Sequence, residues 1–182
     1  MYRSGFAFVC LALASTAAIA QSKPESDAPG AHAAATATAQ LKDSQGKPVG
    51  DVKMRETPEG VLLTIELQSV EPGVKAFHIH DAGRCEAPTF QSAGPHFNPE
   101  KEPHRLLAPK GVHAGDLPNI HVPETGTTSV EVLASGVTLS SGERSLLDTN
   151  GSALVLHAKA DDYASDPAGN AGDRVACGIV TR

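Results

Sequence analysis

Along residues 61–68, Val61, Leu63, Ile65 and Leu67 recur at every second position and alternate with Leu62, Thr64, Glu66 and Gln68. A period of two predicts a β-strand with one buried face. Shorter runs repeat the theme at 49–56, 75–80, 129–133, 153–157 and 175–180, and a weaker one of small residues and threonine covers 33–41. Turn formers separate them: Asp43-Ser44-Gln45-Gly46-Lys47-Pro48, Thr57-Pro58-Glu59-Gly60 and Glu71-Pro72-Gly73. Short strands joined by frequent turns predict an all-β fold, an antiparallel sandwich or barrel. Two segments break the pattern. One, 81–128, is about fifty residues dense in Pro, Gly, His and charge, and 158–174 is a shorter polar stretch. Long loops inside a compact domain usually exist for function.

The first twenty residues follow another plan. Arg3 precedes an apolar run at 6–14, and Ala18-Ile19-Ala20 ends the segment with small residues. This predicts a secretory signal peptide cut after Ala20. A membrane span needs roughly 20 apolar residues, and Gln21-Ser22-Lys23 ends the run too early for one. No lipid anchor is expected. Residues 21–32 are polar, contain proline and show no period, so they predict a disordered linker, leaving 33–182 as one domain.

Cleavage would remove Arg3, taking the net charge from −6 to −7, and Cys10, leaving Cys85 and Cys177. An exported chain normally pairs two such cysteines, the alternative being two buried thiols. The acidic balance offers no footprint for nucleic acid and gains nothing from anionic lipid. With aromatics at 4% and no Trp, the core must come from Val, Leu, Ile and Ala. The 17 Gly and 13 Pro argue against a helical bundle.

The histidines change the picture most. Six of the eight lie between positions 78 and 121. On a strand, Phe77-His78-Ile79-His80 puts both imidazoles on one face, close enough to converge on one metal. An isolated pair of this kind is more often plain surface, but the neighbouring loop holds His96, His104, His113 and Asp116. Their spacing, His-x7-His-x8-His-x2-Asp, fits no regular element. A folded-over loop could wrap these ligands around an ion, and three imidazoles with one carboxylate make an acceptable zinc shell. His157 ends the apolar run Leu154-Val155-Leu156 and is followed by Asp161-Asp162.

The segments FHIHDAGRC, SAGPHFNP, GVHAGDLPN, LVLHAKADD and GNAGDRVACG closely resemble copper/zinc superoxide dismutase, in order, over about residues 33–181. The resemblance implies an eight-stranded antiparallel Greek-key barrel with two long functional loops and a Cys85–Cys177 disulfide. It implies one copper per subunit on His78, His80, His96 and His157, and one zinc on His96, His104, His113 and Asp116. His96 would bridge the metals and pass a proton to product, and Asp161 would link His78 to His104. Arg174 would attract and position superoxide, with Lys101 and Lys110 as further candidate charges. The reaction implied is dismutation of superoxide to O2 and H2O2. The match looks most like secreted bacterial members, which implies a periplasmic location. The alternative is a barrel that buffers copper and zinc without turnover. The resemblance allows a homodimer without deciding its geometry. His32 and His121 are left without a role. At 158–174 the second loop is shorter than in animal cytosolic members, so channel charges beyond Arg174 do not carry over.

Overall fold

The computed structural model describes Met1 and residues 34–104, 106–107 and 111–182. The predicted signal peptide apart from Met1, the whole predicted linker with His32, and Lys110 lie outside the described residues.

The predicted all-β fold is present. The strands are β1 (Thr36–Asp43), β2 (Pro48–Thr57), β3 (Gly60–Leu67), β4 (Gly73–Lys75), β5 (Phe77–His80), β6 (Ile120–Val122), β7 (Thr128–Ala134), β8 (Ala153–His157) and β9 (Arg174–Ile179). A single 3-10 turn, Gln91–Ala93, is the only helix among the described residues, so none is long and apolar enough to cross a membrane. Seven strands form one curled antiparallel sheet in the order β5-β8-β9-β1-β2-β3-β7, and β4 pairs with β6. Only Ala76 separates β4 from β5. Taken as one interrupted strand they bring the count to the predicted eight. The chain passes from β3 over β7 and β6 to reach β4, which is a Greek-key crossing.

The alternation in the sequence becomes the inside and outside of this barrel. Val61, Leu63, Ile65 and Leu67 are buried while Glu66 is exposed. With Leu41, Val52, Met54, Phe77, Ile79, Leu154 and Leu156 they form the main core. Each such side chain contributes about 1.5–3 kcal/mol by leaving water. Val137, Leu139 and Leu146 join it from the connection 135–152, which contains no strand.

The segment expected to be loop throughout, 81–128, instead contains β6. Ile120-His121-Val122 is too short to display a period, and its pairing with β4 (Val74 opposite His121) joins residues far apart in the chain. A few boundaries also move: β1 begins at Thr36, not 33, and β9 begins at Arg174.

On β5 and β8 both faces are buried. The long loop folds back over their outer face, where Phe90, Ala93, Ala153, Val155 and Cys177 form a second small cluster. The Cys85–Cys177 disulfide, with Cα atoms 5.6 Å apart, ties that loop to β9. In the chain-entropy account, closing a loop this long stabilises by about 4.6 kcal/mol.

Candidate metal centre

Phe77 and Ile79 face the core, so His78 and His80 occupy the opposite face of β5, beneath the long loop. That loop bonds to β5 as a strand would. Phe97 N donates to Ile79 O (2.8 Å), Ile79 N to Gly115 O (2.9 Å) and Gly115 N to Phe97 O (2.8 Å). These bonds set His96 opposite His80 and Asp116 opposite His78. Position 115 requires glycine for this approach, because a Cβ there would lie 2.3 Å from Ile79 O. His157 ends β8, where the ladder to β9 becomes irregular and sets it opposite Arg174. Backbone register therefore positions ligands that look scattered in sequence.

Two groups of side chains result, and they share His96. One ligating atom from each of His78, His80, His96 and His157 lies within 4.8 Å of the others, and the same holds for His96, His104, His113 and Asp116. In the first group His78 Nδ1, His80 Nε2, His96 Nε2 and His157 Nε2 are buried without a hydrogen-bond partner. An orphaned buried polar atom costs about 1–3 kcal/mol. Four lone pairs facing one point are explained by a cation that accepts them, and four imidazoles suit copper. The outer nitrogens of three of them are engaged from behind: His78 Nε2 with Asp161 Oδ2 (2.9 Å), His80 Nδ1 with Gly94 O (2.9 Å) and His157 Nδ1 with Gly172 O (3.4 Å). Such outer bonds select the tautomer that leaves the inner nitrogen free to ligate.

The second group closes around a carboxylate. Asp116 Oδ1 lies 2.7 Å from His96 Nδ1 and 3.2 Å from His113 Nδ1, and Asp116 Oδ2 lies 2.9 Å from His104 Nδ1, though that last contact is out of line for a hydrogen bond. His113 Nδ1 and His96 Nδ1 are 3.4 Å apart. With zinc–nitrogen bonds near 2.05 Å, a tetrahedral shell has edges of about 3.3 Å, close to this spacing. His96 turns Nδ1 to this group and Nε2 to the other.

The family profile for copper/zinc superoxide dismutase (SODC) matches residues 48–180. The chain belongs to the copper/zinc superoxide dismutase family. It is 48% identical over 144 residues to superoxide dismutase [Cu-Zn] 1 of Aquifex aeolicus, covering 78% of this chain and 85% of that one. Superoxide dismutase [Cu-Zn] of Caulobacter vibrioides is 43% identical over 148 residues, 80% of this chain and 85% of that one. The crystal structure of a double mutant of a SOD-like protein from Bacillus subtilis superposes with a TM-score of 0.77 at 41% identity, covering 80% of this chain and 97% of that chain. The protein is thus a superoxide dismutase whose cofactors are one copper and one zinc per subunit.

The two groups differ in charge. Burial, reinforced by neighbouring imidazoles, pushes His80 down to about 2 and His157 to about 3. Burial also takes His96 to about 4, against the pull of Asp116. These rings are neutral at ordinary pH, the form that binds metal. On the other side, burial alone would lower His104, but Asp116 and Asp161 outweigh it and raise it to about 9. Burial opposes the charge on Asp116 too, yet its contacts with His104, His113 and His96 hold it well below the usual carboxylate range.

Asp161 joins the two groups, its Oδ2 accepting from His78 and its Oδ1 accepting from His104 Nε2 at 3.0 Å. Sequence reasoning did not single out what positions Asp161. Asn119 brackets it: Asn119 Nδ2 donates to Asp161 O (2.9 Å) and Asn119 Oδ1 accepts from Asp161 N (2.8 Å). The Tyr163 hydroxyl in turn accepts from Asn119 N (2.7 Å). Asp166 Oδ1 accepts from His104 N (2.9 Å), a direct tie between the two long loops. Polar side chains two to five positions from a candidate site residue, Asp116 or Asp161, are the only sequence signal for these partners. Arg174 is half-buried and shares a cleft with His96, His113, His157 and Lys101. His121 is exposed on β6, in neither group.

Proposed function

We propose that His78, His80, His96 and His157 hold the copper and that His96, His104, His113 and Asp116 hold the zinc. The observation that carries this reading is that four of the five buried imidazole nitrogens without a hydrogen-bond partner fall in one group, while the fifth, His104 Nδ1, faces Asp116 Oδ2 in the other. Copper there supplies the one-electron couple that d10 zinc lacks, so that two superoxide ions and two protons leave as O2 and H2O2. His78 and His80 are wholly buried, whereas His96 and His157 border the cleft and so meet substrate. Arg174 donates Nη1 to Phe90 O and Nη2 to Gly94 O, each at 2.8 Å, which fastens the guanidinium at the cleft wall. Its charge draws superoxide in locally, against an overall charge of −7 after cleavage that repels the anion at long range. Local fields of this kind raise on-rates by about 10–10³. Lys101 adds to it, while Asp81, Glu102, Asp166 and Asp173 line the same cleft and subtract. Where copper does not occupy it, His96 Nε2 would hold a proton beside the substrate and pass it to the departing peroxide.

The setting proposed is the periplasm, after cleavage behind Ala20. The export pattern in residues 1–20 and the disulfide support it, since disulfides persist where conditions oxidise. The decisive experiment is superoxide decay by pulse radiolysis on the chain from Gln21, loaded with one copper and one zinc. Fast, copper-dependent decay is expected. No catalysis with both metals bound would replace the catalytic reading with metal buffering.

A further inference from the structure

The Gly94 carbonyl oxygen accepts two hydrogen bonds. His80 Nδ1 donates from 2.9 Å and Arg174 Nη2 from 2.8 Å. The turn carrying this carbonyl is held without Arg174. Gly94 N donates to Gln91 O, Ala93 N to Phe90 O, Ala82 N to Ala93 O and Asp81 N to Pro95 O, each at 3.0–3.1 Å. The Cys85–Cys177 disulfide anchors the same loop to β9. Gly94 itself sits at φ +77°, and a Cβ there would come 2.2 Å from Asp81 Oδ1, so only glycine presents its carbonyl this way.

A carbonyl oxygen has two lone pairs, and a charged donor binds more strongly than a neutral one. A guanidinium on one lone pair leaves the oxygen a poorer acceptor on the other. An acceptor at a ligand histidine's outer N–H raises that ring's basicity toward the metal. Resting on the reading of His80 as a copper ligand, we propose that Gly94 is a shared acceptor through which Arg174 weakens the His80 Nδ1–H bond and makes His80 a weaker donor to copper. Arg174 is then a positioning residue for His80 as well as a charge facing superoxide, and its effect is to favour the reduced metal.

The test is proton NMR of the His80 Nδ1–H in the protein loaded with Cu(I) and zinc, for wild type, Arg174→Met and Arg174→Lys. Lysine keeps the charge but not the fork that reaches two carbonyls. In both variants the signal is expected to move downfield as the bond to Gly94 strengthens, and the copper reduction potential of Arg174→Lys is expected to fall. An unmoved signal in both variants would overturn the proposal. So would a shift in Arg174→Met alone, because charge would then suffice, or an upfield shift, because Arg174 would then merely hold the turn. The ligand reading is checked separately by the His80 Nε2 nitrogen resonance of the wild type. If that does not move on copper loading, the assignment of His80 fails and not the coupling.

Discussion

The two halves of the metal centre solve one problem, keeping polar groups in a dry interior, in opposite ways. On the proposed zinc side Asp116 touches all three imidazoles, and His104 lies between Asp116 and Asp161. Those contacts assemble the site by attraction among its own groups. On the proposed copper side there is no carboxylate among the four inward nitrogens, and they have no partners. What holds that half lies behind it: Gly94, Gly172, Asp161 and the backbone of β5 and β8. The lesson is that a site can be organised either by charge within it or by hydrogen bonds around it. Only the second leaves lone pairs free for a metal without first removing a proton.

The strongest way to break this comparison is to remove a ligand from one half alone. His157→Ala is expected to abolish copper loading and to drop superoxide decay to the rate of free protein, with zinc still bound at about one per chain by metal analysis. Copper retained at full occupancy would show that the two groups do not work as separate sites. Asp161→Asn comes next, because it touches both halves. Loss of a group behind the ligands costs about 10–100-fold in metal affinity, and here zinc affinity should fall by that factor while copper affinity also drops. A chelator titration in which only one metal weakens would mean that Asp161 serves one half.

The pH response sharpens the contrast. In the metal-free protein His80, His96 and His157 are held below the ordinary histidine value near 6.5, so they stay neutral in the fold and take up protons on unfolding. Stability from them is complete above about pH 6.5 and is lost as pH falls, at up to about 1.4 kcal/mol per pH unit for each ring. His104 has the opposite sign. Raised to about 9, it contributes stability below pH 6.5 that is lost as pH rises through 9. The melting temperature of the metal-free protein is therefore expected to peak near neutrality. Calorimetry in buffers of different ionisation heat should find about one proton released when zinc binds at pH 7 and almost none when copper binds. Equal release at the two sites would remove the distinction. The smallest effect belongs to His121→Ala. This exposed ring on β6 should change stability by no more than about 0.5 kcal/mol and leave both metals and the rate of superoxide decay untouched.

Much of this was legible in the chain. The period-two run at 61–67 became β3 with the expected face buried, because one-sided burial is a local property of a strand. The seven candidate ligands come together as two groups, since histidine and aspartate at such density in a loop leave a chemical signature whatever the backbone does. Less legible were Asn119, Tyr163 and Asp166, whose residue types occur on any surface and whose role depends on what they meet across the fold. β6 was hidden because three residues carry no period.

The sequence by itself determined the strand pattern, the identity of the metal-seeking side chains, the pair of cysteines and, by resemblance, the family. Those depend on residue type and spacing, which a linear chain carries in full. Tertiary structure alone decided that His96 and Asp116 lie in register with His80 and His78, that Asn119 brackets Asp161 from the other long loop, and that a single carbonyl serves both His80 and Arg174. Each of these is a backbone or side-chain bond between residues distant in the chain. Its existence depends on an approach of a few tenths of an ångström, which residue types permit but only the packed barrel enforces.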